Sequence, residues 1–402
     1  MPKTIYLDNA ATTMMSREVL DAMLPYLTEK YGNPSSIHSF GAESNSACED
    51  ARKTIAKFIN AKSNEIYFTS GGSESDNWAI KSVAYMKKDK GKHIITSAIE
   101  HHAVMETCEF LARDGFEITS VGVDENGIIK LDELEKAIRP DTILISIIYA
   151  NNEIGTIQPI REIGKIARSK GIVFHTDAVQ AFGHIPIDVE KDNIDLMSAS
   201  AHKIHGPKGV GLLYINNSVK LTPLIHGGPH ERKRRAGTLN VPGIVGFGKA
   251  TELAQKSMED AADITEKRNY LIDRILKEIP YSRLNGDRER RLPGNANISF
   301  MYIEGESMLM LVDMKGIAAS TGSACASGSL DPSHVLLAIG LPHEIAHGSL
   351  RMTLSEYTTK DELDYTVEVL KEVVGRLRSM SPLYEDAMKK DMEVQRCNTA
   401  KK

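Results

Sequence analysis

The chain has 402 residues, of which 41% are hydrophobic and 26% charged, with a formal net charge of −5. This balance supports a sizeable folded core, excludes a disordered chain, and gives no general attraction for nucleic acid or an anionic membrane. The apolar run at 143–150, ILISIIYA, is far too short to cross a bilayer.

The N-terminus reads MPKTIYLDNAATT, with Asp8 where a signal peptide needs apolar residues, so a cytoplasmic protein is expected. Over 42–61, Ala47, Ala51, Ile55, Phe58 and Ile59 recur at three- and four-residue spacing and predict a helix with one apolar stripe. Short β-rich runs follow at 66–69, 93–96, 116–121, 143–149 and 172–175, several of them apolar on both faces. Their alternation with helical stretches predicts an α/β unit with a mostly parallel central sheet, assigned to residues 16–260. After residue 260 the texture changes. A helical pattern at 261–278 precedes an alternating strand at 297–303 and a glycine- and serine-rich stretch. Thr359 and Glu362 then stand in capping-box spacing before Leu363, Val367, Leu370, Val374 and Leu377. Residues 261–384, with 1–15 packed against them, are expected to form a smaller α+β domain, and 385–402 a loose polar tail.

Chemistry-bearing residues cluster at the predicted strand ends. The first strand runs into a glycine-rich turn, FTSGGSESDN (68–77), and a helix starting near Ser73. Free amides at such a start favour a phosphate, and without GxxxxGK[ST] the turn is not an ATP-type loop. Glu100-His101-His102 follow the second strand, where an imidazole could stack on a ring and relay protons. A metal reading of His101, His102, His202 and His205 lacks an acidic or cysteine partner at ligand spacing, so no metal is expected. The strand in IVFHTDAVQ (172–180) delivers Asp177, a costly acid unless it meets a cation. The ring nitrogen of pyridoxal 5'-phosphate (PLP) is such a cation; a helix cap is the ordinary alternative. Gln180 stands three residues on. Lys203, within SASAHKIHGPKG (198–209), sits at a further strand end; taken alone it reads as a surface lysine.

Cys48, Cys108, Cys325 and Cys397 lie far apart with no CxxC pair, as expected of free thiols in a reducing compartment. Cys48 and Cys108 fall within helical patterns and read as packing residues, and Cys397 lies in the tail. Cys325, among small residues in STGSACASGS (320–329), suits an accessible nucleophile. The basic run RKRR at 232–235 reads as a solvated loop, with phosphate or carboxylate binding the alternative.

The segments YLDNAATT, GNPSS, FTSGGSESDN, EHHAV, NNEIG, HTDAVQ, AHKIHGPKG, RRAGT and STGSACASGS occur in an order that resembles cysteine desulfurases of the NifS/IscS type, to about Leu383. The resemblance implies a fold-type I PLP enzyme, a homodimer that takes sulfur from L-cysteine, leaves L-alanine and passes the sulfur to an iron–sulfur scaffold protein. It implies Lys203 as the residue that bonds PLP, His101 stacked on its ring, Asp177 at the ring nitrogen and Gln180 at the phenolic oxygen. Gly72, Ser73, Ser200 and His202 should hold the phosphate, joined by Thr238 of a second subunit. Asn152 and Arg351 should orient cofactor and substrate carboxylate, and Cys325 should carry the persulfide, with transient contact to an iron–sulfur cluster. Ser73 replaces a threonine found in many relatives but keeps the hydroxyl. A lyase or aminotransferase would leave Cys325 unexplained. An inactive scaffold would leave Lys203, Asp177 and His101 unexplained.

Overall fold

The computed structural model describes residues 4–259, 261–321 and 332–389. Among the described residues twelve short strands form: β1 (Ile5–Tyr6), β2 (Ile66–Thr69), β3 (His93–Ser97), β4 (Glu117–Val121), β5 (Thr142–Ser146), β6 (Val173–Asp177), β7 (Leu196–Ser200), β8 (Gly211–Ile215), β9 (Ser282–Leu284), β10 (Asn295–Phe300), β11 (Ile317–Ala318) and β12 (Ser349–Thr353). The central sheet has the order β2-β8-β7-β6-β5-β3-β4. β8 pairs antiparallel with both neighbours, and the remaining pairings in that sheet are parallel. Strands β3, β5, β6, β7 and β8 are buried at every position, as continuous apolar runs demand when helices cover both faces. The sequence expectation of an α/β fold with a mostly parallel sheet holds.

The predicted runs at 66–69, 93–96 and 116–121 match β2, β3 and β4 within a residue. The run at 143–149 stops as a strand at Ser146, but Ile147 and Tyr149 still donate to the His175 and Asp177 carbonyls at 3.1 and 2.8 Å. β8 escaped sequence reading because it is a five-residue apolar run behind a glycine-rich stretch, with no helix to set it apart. Gly211 opens it because a Cβ there would fall 2.6 Å from the Gly71 Cα on the facing turn.

A second core gathers Ile5, Leu7, Leu271, Ile275, Ile298, Leu350, Val367 and Leu370 around the antiparallel sheet β12-β10-β9 and the helix Lys360–Arg378. That helix is capped as predicted, with Thr359 and Glu362 satisfying each other's backbone amides. The N-terminal segment bridges the two layers. β1 pairs with β11, Thr353 donates its amide to the Leu7 carbonyl at 2.7 Å, and Asn9 Nδ2 donates to the Thr353 carbonyl at 2.7 Å. Where the sequence suggests a loose tail from 385, helical structure continues to residue 389.

Candidate active site

The C-terminal ends of β2, β3, β6 and β7 converge, which is where an open α/β sheet leaves a crevice for ligands. After β2, the helix Gly72–Lys87 begins with Gly71 as N-cap and no side-chain hydrogen bond at the cap. Its first amides therefore face outward with the positive end of the helix dipole. Gly72 must be glycine, because a Cβ would fall 2.6 Å from Val179 Cγ2. The Ser200 hydroxyl at the end of β7 lies 3.9 Å from where a Cβ on Gly71 would stand, so it borders the same turn. Ser73 is exposed.

After β3, His101 caps the helix His102–Arg113, its Nδ1 accepting the Ala103 amide at 3.1 Å. That bond leaves the neutral ring's proton on Nε2. Burial holds this imidazole below its ordinary pKa, with Asp177 pulling upward and Lys203 downward. Preceding it, Glu100 is buried; its Oε1 accepts the Ser97 hydroxyl at 2.5 Å and the Ile148 amide at 2.9 Å. Burial pushes its carboxyl up to about 8.

Asp177 closes β6 at 4% exposure, its Oδ1 accepting the Val179 amide at 2.9 Å. Burial raises its pKa, opposed by His101, that amide and Lys203. Two residues earlier and on the same face, His175 lies between the hydroxyls of Ser146 (2.8 Å) and Ser198 (3.1 Å), with Asp76 3.5 Å from its Nε2. Burial pushes His175 down to about 3 and the Asp76 carboxyl up.

Lys203 ends a short turn after β7, and its Nζ donates to the carbonyls of Ala10 (2.5 Å) and Ala11 (2.9 Å). Gln180 Nε2 donates to that same Ala10 carbonyl at 2.9 Å. His202 Nδ1 meets the Thr12 hydroxyl at 3.1 Å, while burial, Lys203 and Lys208 push its pKa down to about 4. A cavity of about 240 Å³ reaches Lys203 and Gln180 from the side of Asn9 and Ala10, lined further by His184 and His205.

Arg351, on β12, is 2% exposed. Its Nη2 donates to Asp8 Oδ1 at 2.8 Å and its Nη1 to the Asn152 carbonyl at 3.1 Å. Asn152 thus meets the arginine through its backbone carbonyl. Thr238 is exposed. Cys325 and Cys397 lie outside the described residues. Cys48 and Cys108 are buried, which pushes both thiols up to about 12, as suits packing residues.

The basic run is more ordered than a solvated loop. Arg235 clamps Glu74 through two bonds of 2.8 and 3.0 Å, and Arg234 lies over the Tyr67 ring. The preceding Glu231 is buried against Arg52 at 2.7 and 2.9 Å, and Glu231, Arg232 and Lys233 all adopt positive φ. Among the described residues no group of three or more His, Cys, Asp or Glu side chains could hold a metal.

Asp177 and Ser200 close β6 and β7, Lys203 and Gln180 follow within three residues of those ends, and His101 follows β3. Sequence reasoning missed Asp8, Ala10, Asp76 and His175 as neighbours of the site. The only signal for Asp8 and Ala10 was their place in the YLDNAATT segment. The residues present fit a phosphorylated pyridinium ring: an uncapped helix start for the phosphate, a buried carboxylate for the ring nitrogen and a primary amine beside them.

A family model for class-V aminotransferases matches residues 5–366. A protein named cysteine desulfurase IscS from Methanosarcina thermophila is 60% identical over 382 residues, 95% of this chain and 94% of that protein. Another of that name from Dictyoglomus turgidum is 57% identical over 387 residues, covering 96% of this chain and 98% of its own. Among solved structures, a NifS-like protein superposes with a TM-score of 0.88 at 41% identity, covering 93% of this chain and all of that one. A structure of SspA in complex with cysteine gives 0.80 at 39% identity, covering 89% of this chain and 100% of that one.

Proposed function

The chain belongs to the class-V aminotransferase family, and on that premise we propose that it is a PLP-dependent cysteine desulfurase. It takes sulfur from L-cysteine and releases L-alanine. The observation that carries this reading is the convergence of Lys203, Asp177 and His101 at three strand ends, opposite a buried arginine on β12.

Lys203 would bond the cofactor, with Asp177 at the ring nitrogen, Gln180 at the phenolic oxygen and His101 against the ring. Gly72, Ser73, Ser200 and His202 would hold the phosphate, with Thr238 of a partner subunit in a homodimer. Bound there, PLP supplies an electron sink for the pair left when a Cα proton departs. Arg351 offers a planar fork to the substrate carboxylate, steadied by Asp8 and the Asn152 carbonyl. The Lys203 amine removes the Cα proton and returns it. His101, neutral and with its proton on Nε2, can carry a proton at the substrate sulfur. The Cys325 thiolate attacks that sulfur, so an S–S bond forms as the substrate's C–S bond breaks. The products are alanine and a persulfide on Cys325, which passes to an iron–sulfur scaffold or another acceptor.

We place the cofactor-binding domain at 16–260 and a smaller domain at 1–15 and 261–384, following the two cores around the central sheet and around β12-β10-β9. Among the described residues no helix is long and apolar enough to cross a membrane; a cytoplasmic location is part of the proposal. The test is alanine and sulfide release from L-cysteine with a thiol reductant. Wild type should give equimolar products and Cys325→Ala none while keeping its PLP absorbance. Release by Cys325→Ala at the wild-type rate would sink the thiol assignment.

A further inference from the structure

Residues 322–331, which carry Cys325, lie outside the described residues, but the chain on either side is held by the site. On the N-terminal side, Ser320 and Arg351 exchange backbone bonds of 3.1 and 2.6 Å, and the Thr321 carbonyl accepts the Ser349 hydroxyl at 3.2 Å. On the C-terminal side, the Ser333 hydroxyl donates to Glu153 Oε2 at 2.5 Å, and His334 Nε2 lies 3.0 Å from the Glu100 carbonyl. The His334 ring also packs edge-on to His102 at 5.2 Å.

Glu153 is the centre of this arrangement. It is 3% exposed, and its backbone carbonyl accepts Asn295 Nδ2 and Asn297 Nδ2 of β10 at 3.1 Å each. Its amide is held by Asn151 Oδ1 at 2.8 Å, while Asn151 Nδ2 donates to the Ile99 carbonyl at 2.9 Å. The residue between them, Asn152, presents its carbonyl to Arg351. One rigid turn therefore touches the substrate-side arginine, the strand end before His101 and the first residues after the thiol-bearing segment. A buried carboxylate accepting a short hydroxyl bond is a strong, directional tether.

We propose that Glu153 and Ser333 are positioning residues for the sulfur transfer, fixing where the Cys325-bearing segment leaves the site relative to Arg351 and His101. The proposal rests on Cys325 being the sulfur acceptor. A transfer between two sulfurs is sensitive to placement, and a misplacement of about 1 Å can cost on the order of a hundredfold in rate.

Ser333 also caps the helix His334–Ala338, accepting the Val335 and Leu336 amides, so the variants must separate tether from cap. Ser333→Thr keeps donor and cap. Ser333→Asp keeps a capping oxygen but sets a like charge against Glu153. Glu153→Gln removes the charge of the acceptor. Each holoenzyme is assayed for alanine formation from L-cysteine, for PLP absorbance, and for the absorbance change on adding L-alanine, which needs no thiol. The expected result is a loss of about ten- to hundredfold in kcat for Ser333→Ala and Ser333→Asp, and a smaller loss for Glu153→Gln. Ser333→Thr should stay near wild type, and all four should keep PLP and the L-alanine response. Wild-type kcat in Ser333→Asp overturns the proposal, as does parallel loss of PLP and L-alanine response, which marks a merely structural role. Cys325→Ala, run alongside, reports separately on the acceptor: activity in that variant removes the premise and not the tether.

Discussion

Arg351 and Asp8 meet at 2.8 Å across 343 residues of sequence, so the guanidinium that the proposed function offers to a substrate is already half engaged by the protein's own carboxylate. The pair holds the fork still. An arriving carboxylate shares an oriented cation rather than having to order a loose one, which lowers the entropic cost of binding.

Replacing Asp8 with asparagine should raise KM for L-cysteine more than it lowers kcat, because Arg351 keeps its charge but loses its brace. Arg351→Lys loses the planar fork and should cost about tenfold or more in kcat/KM. Steady-state kinetics on both variants checks this; an unchanged KM in Asp8→Asn would remove the bracing role.

Lys203→Arg should retain a cation between the Ala10 and Ala11 carbonyls yet lose activity by about a thousandfold or more, because a guanidinium neither bonds the cofactor nor takes up a proton near neutral pH. Borohydride reduction should attach the cofactor to wild type and leave it removable from the variant.

Acid should unfold the cofactor-free protein partly through its buried imidazoles. Burial pushes His175 down to about 3 and His184 to about 4, from an unfolded value of 6.5. Below pH 6.5 the unfolded chain binds protons that the folded chain refuses, so stability falls toward pH 4 by about 1.4 kcal/mol per pH unit per histidine. Glu100 acts with the opposite sign. Its folded pKa of about 8 lies above an unfolded 4.5, so its contribution is full below 4.5 and is lost as pH rises through 8. Urea midpoints across pH should show Glu100→Gln gaining on wild type above pH 8 and His184→Gln losing less than wild type below pH 6.

Glu231→Gln should destabilise the fold by about 3 kcal/mol, since it breaks a buried pair and leaves Arg52 with only the more exposed Glu49 as counter-charge. Glu231 also accepts the Phe68 amide of β2 at 2.8 Å and sits at φ 44°, so the loss should reach the turn at 231–233. Thermal denaturation measures the first effect. Proteolytic cutting near Arg232 and Lys233, faster in the variant than in wild type, reads the second.

Cys48 and Cys108 should resist alkylation in the native protein at neutral pH, because burial pushes both thiols up to about 12. Peptide mapping after iodoacetamide should find them labelled only after denaturation.

Much of the site was legible because parallel strands announce themselves as apolar runs and chemistry gathers just beyond their ends. Asp177, Lys203 and His101 could be placed that way from a few neighbouring residues each. Glu153 could not, since its partner Ser333 lies 180 residues away and leaves no local periodicity. Asp76 and Glu100 were opaque for another reason: an acid in a helix or after a strand usually faces water, and only the packing of helix on sheet buries these two. The antiparallel entry of β8 was hidden because its five residues are equally apolar in either direction.

The clasp between the N-terminal segment and β12 also bears on how the site can form while the chain is being made. Asp8 and Ala10 are made well before their partners, since Arg351 and Thr353 each stand 343 residues further along the chain. A nascent chain that already contains Lys203 still lacks the guanidinium that would bind an amino acid. Under the proposed function, chains cut short before β12 would therefore carry Lys203 and the strand ends beside it without the arginine that anchors the substrate.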